Sequence, residues 1–178
     1  MTHILSEITI RNFKSLISET LELTAFTPLV GYNNAGKSNI LDAIKWVLRG
    51  GSLTEAAFHD KTIAVEMEGK ISGITATILG QLPANQQTAI QPYLFTDVLH
   101  IKRTQGQPNA GAKAIALLVR DPANIGNANE WRSAPTGLPQ ALEVLFPEPI
   151  HIGAMENAEE DVSKSKNTTT IGKLLGEI

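Results

Sequence analysis

Residues 31–38 read GYNNAGKS, and their meaning decides the fold. Two glycines, two asparagines and a lysine make a poor core segment. Yet the stretch lies between the apolar run FTPLV (26–30) and the apolar-periodic run NILDAIKWVL (39–48). In the second run Ile40, Leu41, Ile44, Val47 and Leu48 recur at helical spacing, and Gly50–Gly51 ends it. FTPLV predicts a short buried strand. The order is therefore strand, glycine loop, helix, and the loop carries G-x-x-x-x-G-K-S through Gly31, Gly36, Lys37 and Ser38.

The spacing has a physical use. Glycine lets the backbone turn tightly and leaves room for a phosphate. Successive N–H groups around Asn34 to Ser38 can point into one concavity. The first turn of the following helix adds unpaired N–H groups and a positive dipole end. Lys37 supplies a full charge for the β- and γ-phosphates, and Ser38 is the expected Mg²⁺ ligand. ATP with Mg²⁺ is the implied cofactor. A turn that only links strand to helix would have no use for the Lys–Ser pair. The NKxD and DxxG patterns that would indicate a GTPase are absent from the sequence.

The chain has 178 residues, 42% hydrophobic and 19% charged, with net charge −3. This fits one globular domain able to bury a core. The charge balance gives no bulk support for nucleic-acid binding. With no cysteine, disulfides and thiolate metal sites are ruled out. No leader pattern or long apolar run is present, so no membrane contact and a cytoplasmic location are expected.

SEITIRNF (6–13) alternates as a strand, and SETLEL (18–23) is a candidate partner. TIAVEME (62–68) predicts a further strand; GITATILGQL (73–82) fits either a short helix or a strand; 83–94 predicts a helix. DVLHIKRTQ (97–105) and AKAIALLVRD (112–121) predict a hairpin. Residues 121–137 have loop chemistry, 137–146 a short helix, EPIHIGA (148–154) a strand, and 168–178 a helix.

ITIRNFKSL (8–16) followed by LVGYNNAGKSNILDAI (29–44) resembles the N-terminal lobe of the RecF/SMC-like ATPases of the ABC class. Among these it is most similar to the overcoming-lysogenization-defect (OLD) nucleases and their AAA-type relatives. The tail from Ile150 to Leu175 carries a further, less specific likeness. The resemblance implies an α/β P-loop NTPase lobe, the N-terminal part of a longer head, with an antiparallel β-subdomain. It implies a P-loop core over 1–60, a β-rich mixed subdomain over 61–150, and a return strand with C-terminal helix over 151–178. It carries Gly31, Gly36, Lys37, Ser38 and Asn39 over as nucleotide-binding residues, with Asn33, Asn34 and Ala35 in the cradle. The turn from Arg11 to Ser15 would lie close to the nucleotide, adding Asn12 and Lys14.

Hydrolysis needs more than a cradle. EVLFPEP (143–149) has Pro147 where a metal-holding aspartate would be required, and no LSGG-like signature is found; SGIT (72–75) is too short. The γ-phosphate-sensing glutamine could be any of Gln81, Gln86, Gln87, Gln91, Gln105, Gln107 and Gln140. The expectation is an ATP-binding lobe with little turnover of its own. Its partners would be a C-terminal lobe of the same longer chain, a second copy across ATP, and DNA. A stand-alone nucleotide-binding scaffold without catalysis is the alternative.

Other groups are weaker signals. His3, His59, His100 and His151 show no ligand spacing. Glu156, Glu159, Glu160 and Asp161 read as a solvated acidic face. Lys102, Arg103 and Arg120, or Lys164, Lys166 and Lys173, are candidates for DNA contact.

Overall fold

The computed structural model describes residues 3–33 and 35–147. The chain divides into two units, Met1–Phe146 and Pro147–Ile178. The strand expected at 148–154, the polar run after it and the helix expected at 168–178 lie outside the described residues.

The first unit is built on one six-stranded antiparallel sheet in the order β2-β1-β3-β4-β5-β6. Its strands are β1 (Ile4–Phe13), β2 (Leu16–Glu22), β3 (Val65–Ser72), β4 (Val98–Gln105), β5 (Ile115–Arg120) and β6 (Trp131–Ser133). The period-two pattern sends Ile8 and Ile10, Val65, Met67 and Ile71, and Leu99 and Ile101 to one face, where all are fully buried. The other face carries Glu7, Thr9 and Arg11 beside Glu66, Glu68 and Lys70 and then His100, Lys102 and Thr104. Four helices accompany the sheet: α1 (Lys37–Arg49), α2 (Ala76–Leu79), α3 (Ala84–Ile90) and α4 (Leu138–Leu145). No helix among the described residues is long and apolar enough to cross a membrane.

The predicted β1–β2 and β4–β5 pairings form, with Phe13 opposite Leu16 and Gln105 opposite Ile115. Residues 62–64 stay outside β3, which runs on through Gly69, Lys70 and Ile71. Pro92 turns the end of the predicted 83–94 helix into a 3₁₀ turn after Ile90. The 121–137 loop contains one element its composition hid, the short edge strand β6 paired to β5 through Leu118 and Ser133.

FTPLV is the clearest departure. It is not a strand, and its ends are open: Phe26 is 83% exposed and Val30 93%, while Thr27 and Leu29 are half-buried. A buried strand needs neighbours on both edges, and none of the six strands pairs with this segment.

Helix α1 packs against the inner face through Ala43, Trp46, Val47 and Leu48. Its seat is Gly69 in the middle of β3. A Cβ there would meet Leu5 Cδ1 at 3.1 Å, Ile101 Cγ1 at 3.3 Å and Val47 Cγ2 at 3.6 Å. The C-terminal end of α1 is pinned twice more. Arg49 donates to Phe146 O at 2.5 Å, and the buried Arg103 of β4 donates through Nε to Val47 O at 3.2 Å.

Overpacking beneath α1 should therefore loosen the helix that carries the glycine loop. Gly69→Val is expected to lower unfolding stability by about 2 kcal/mol, read as a reduced urea midpoint at unchanged slope.

Candidate functional site: a glycine loop at the head of α1

The loop is curled. Ala35 N–H donates to Tyr32 O at 3.1 Å, and Ile40 N–H to Gly36 O at 3.2 Å. Gly36 enters the helix with φ 88°, a left-handed conformation that glycine adopts without strain. It is buried, and a Cβ at this point would lie 3.0 Å from Ser15 Oγ. The N–H groups of Gly36, Lys37, Ser38 and Asn39 have no hydrogen-bond partner among the described residues. These are the orphan donors every helix start leaves, and their residues border a cavity of about 320 Å³. Ser15, Asn33, Ala35, Gly36, Lys37, Ser38 and Asn39 line it.

Lys37 folds back over its own loop. Its ammonium donates to Gly31 O at 2.7 Å and Tyr32 O at 2.8 Å. Lys37 also lines the cavity, its charge held by two loop carbonyls that a stronger acceptor could displace. Ser38 is exposed, and its hydroxyl has no protein partner among the described residues. Asn34 lies outside the described residues.

The turn from Asn12 to Ser15 braces this arrangement. Asn39 Nδ2 donates to Ser15 Oγ at 2.8 Å, and Lys14 Nζ pairs with Asp42 Oδ2 at 2.5 Å. Both bonds tie the β1–β2 hairpin to the first turns of α1. Lys14 holds φ 50° in a two-residue hairpin turn, where glycine is usual. Its backbone is fixed by Lys14 N–H to Ala57 O and by His59 Nδ1 against Lys14 O, each at 2.9 Å. Asn12, also at positive φ (58°), is buried and turned away from the cavity residues. Its amide donates to Asp60 O at 2.8 Å and Ile63 O at 2.6 Å and accepts from Asp60 N–H at 2.7 Å. In this structure Asn12 and Lys14 hold the turn that holds the loop.

Asp42 escaped sequence reading, Ser15 was read only as the end of the turn near the nucleotide, and Arg103 was given another role. Asp42 follows Ser38 by one helical turn, a spacing that shares a face with the loop's last residue. Arg103 was grouped with Lys102 and Arg120 as a candidate DNA contact, but strand alternation puts it on the opposite, buried face. Burial pushes its guanidinium down to about 10, so it is still charged at neutral pH, at the negative end of α1. Lys102 is engaged by Glu68 at 3.1 Å and Glu66 at 3.7 Å and lies over the Trp131 ring. None of the seven candidate glutamines lines the cavity. Gln105, for example, is fully buried and bonds both backbone groups of Leu53. His151 and the acidic cluster at 156–161 lie outside the described residues, as do Lys164, Lys166 and Lys173. Among the described residues, no group of three His, Asp or Glu side chains is placed to hold a metal.

The family described as the AAA ATPase domain matches residues 4–173. This chain belongs to that family. AAA ATPase domains bind nucleotide, typically with Mg²⁺, and the fold here is the mixed α/β P-loop lobe such domains use. The chain is also 43% identical over all 178 residues to the Old nuclease of Escherichia phage P2, of which it spans 30%. Shorter matches are to the chromosome partition protein Smc of Xanthomonas oryzae pv. oryzae, 47% identical over 64 residues, and of Thauera aminoaromatica, 37% over 68. These cover 30% and 33% of this chain and 6% of each Smc protein. The likeness to OLD- and SMC-type ATPases inferred from residues 8–44 is thus borne out.

Residues that brace the turn and residues of the loop should separate in stability measurements. Asn12→Ala removes several buried hydrogen bonds and is expected to cost about 3 kcal/mol, whereas Lys37→Ala should change stability by less than about 0.5 kcal/mol. Thermal unfolding without nucleotide reads both.

Proposed function

We propose that this chain is the ATP-holding lobe of an OLD/RecF/SMC-like ATPase that acts on DNA. The observation that carries the reading is the row of four N–H groups, Gly36 to Asn39, without a partner among the described residues, on residues that line a polar cavity together with Lys37. The β- and γ-phosphates of ATP would accept from these amides, and Lys37 would exchange its two carbonyl partners for phosphate oxygen. Gly31, Asn33, Asn34 and Ala35 would form the cradle wall. Ser38 would take one position on Mg²⁺, which when bound offsets triphosphate charge. Asn39, Asn12 and Lys14 would keep the loop curled through the β1–β2 turn.

The lobe needs completion to turn over. The open side chains of Phe26, Val30 and Tyr32 next to the loop support a second lobe that pairs beside 26–30. Such a lobe, from the rest of a longer protein of Old-nuclease type, would bring the water-activating acid and the signature loop. Two heads would then close across ATP. DNA repair or nuclease-coupled defence in the cytoplasm is the setting this implies. Without its partner lobe the chain is expected to bind Mg²⁺–ATP weakly and hydrolyse almost none.

Titration calorimetry tests the assignment. Lys37→Ala is expected to weaken ATP binding at least about tenfold and Ser38→Ala to reduce its Mg²⁺ dependence, with AMP affected by neither. Equal ATP affinity in parent and Lys37→Ala would reject it.

A further inference from the structure

The outer face of the sheet, opposite α1, holds a second cavity. Lys70, His100 and Arg120 occupy one cross-strand row: Lys70 is the register partner of His100, and Arg120 follows Val119, the partner of Ile101. Together with Tyr93, Phe95 and Ile125 they line a space of about 380 Å³.

The charges in this row are not cancelled as their neighbours are. One step along the strands, Arg11 and Lys102 balance Glu66 and Glu68. Lys70 has no ion-pair or hydrogen-bond partner for its ammonium among the described residues, although Glu7 is its register partner on β1. Arg120 uses Nε on Glu130, which leaves its two terminal amino groups for a ligand. Asp121, next in sequence, turns its carboxylate to Arg132, Asn124 and the Ala123 N–H instead. Burial, with the Arg120 and Lys70 charges, lowers His100 from its ordinary value, which favours the neutral imidazole.

The opposite wall is aromatic and rigid. Phe95 is 64% exposed, yet its backbone is locked by reciprocal 3.0 Å bonds with Val98 around Thr96 and Asp97, both at positive φ. A tight turn that holds a large ring open to solvent presents a stacking surface. Ile125, 49% exposed, faces the same space.

We propose that this cavity binds one phosphorylated nucleotide unit, phosphate against Lys70, His100 and Arg120 and base against Phe95 and Tyr93. A bare anion would leave the aromatic wall unused, and the volume suits one small ligand. Every base has a face that can stack, so the site would be tolerant of base identity. Free nucleoside monophosphate and the 5′-phosphorylated end of a single strand share this chemistry. The site is separate from the glycine loop and does not depend on its assignment.

The test uses the full 178-residue chain carrying Lys37→Ala, which silences the loop. Anisotropy is read with a 3′-labelled hexathymidylate bearing either a 5′-phosphate or a 5′-hydroxyl, with dTMP as competitor. The phosphorylated strand should bind at least about tenfold more tightly, and Lys70→Ala or Phe95→Ala should each weaken it about fivefold or more. Competition by equimolar dTMP would assign the free nucleotide, and its failure to compete the strand end; either upholds the site. The His100 ring resonances should also shift on adding dTMP or the phosphorylated strand, an independent readout in a chain with no cavity substitution. A 5′-phosphate advantage below twofold, unmoved His100 resonances, or folded Lys70→Ala and Phe95→Ala variants that bind like the parent would overturn the proposal. So would tighter binding of a phosphotyrosine peptide than of both nucleotide probes.

Discussion

A helix start that is to receive phosphate must keep its first N–H groups bare, and the rest of the molecule answers to that requirement. Bare donors give a helix no stability from that end. Helix α1 is therefore held from its other end and its side: by the burial of Ala43, Trp46, Val47 and Leu48, by its close seat on Gly69, by Arg103 on the Val47 carbonyl, and by its own last residue, Arg49, on the Phe146 carbonyl. Arg103 is notable because no carboxylate pairs with it among the described residues. Its buried charge is offset by the carbonyl of Val47 and the negative end of the helix.

The same logic explains the turn between β1 and β2. It carries two non-glycine residues at positive φ, a conformation that costs of order 1 kcal/mol each and needs support from outside. The support comes from the 57–64 segment, through Ala57 O, His59 and the amide of Asn12. What the strained turn offers in return is position. Ser15 and Lys14 reach Asn39 and Asp42 on the first two turns of α1, so the loop is clamped by side chains that leave its amides untouched. Lys37 adds the last restraint, closing on the loop's own carbonyls.

Much of this was legible in the residues. Helical spacing after Ser38, the Gly50–Gly51 stop and the period-two runs of β1, β4 and β5 are local signals, and local physics honours them. Residues 26–30 show where such signals end. An apolar run reads as a buried strand only if something lies beside it, and among the described residues nothing pairs with Phe26 or Val30. Strand β6 failed in the opposite direction, since three residues inside a Pro-, Gly- and Asn-rich stretch pair only because β5 offers them an edge. The roles of Asn12 and Arg103 were also out of reach. Asn12 looked like a ligand residue from its place in a familiar phrase, but its use depends on backbone groups about fifty positions away. Arg103 looked like surface charge until the register of β4 was fixed. The outer cavity is non-local throughout: its three basic groups come from three strands.

Amide chemical shifts of Gly36, Lys37 and Ser38 during a Mg²⁺–ATP titration test the central claim most directly, because they report on the donors themselves. Strong downfield movement of these three N–H resonances with ATP, and none with adenosine, is the predicted result. Resonances that stay in place at saturating ATP, or that move equally with adenosine, would contradict it.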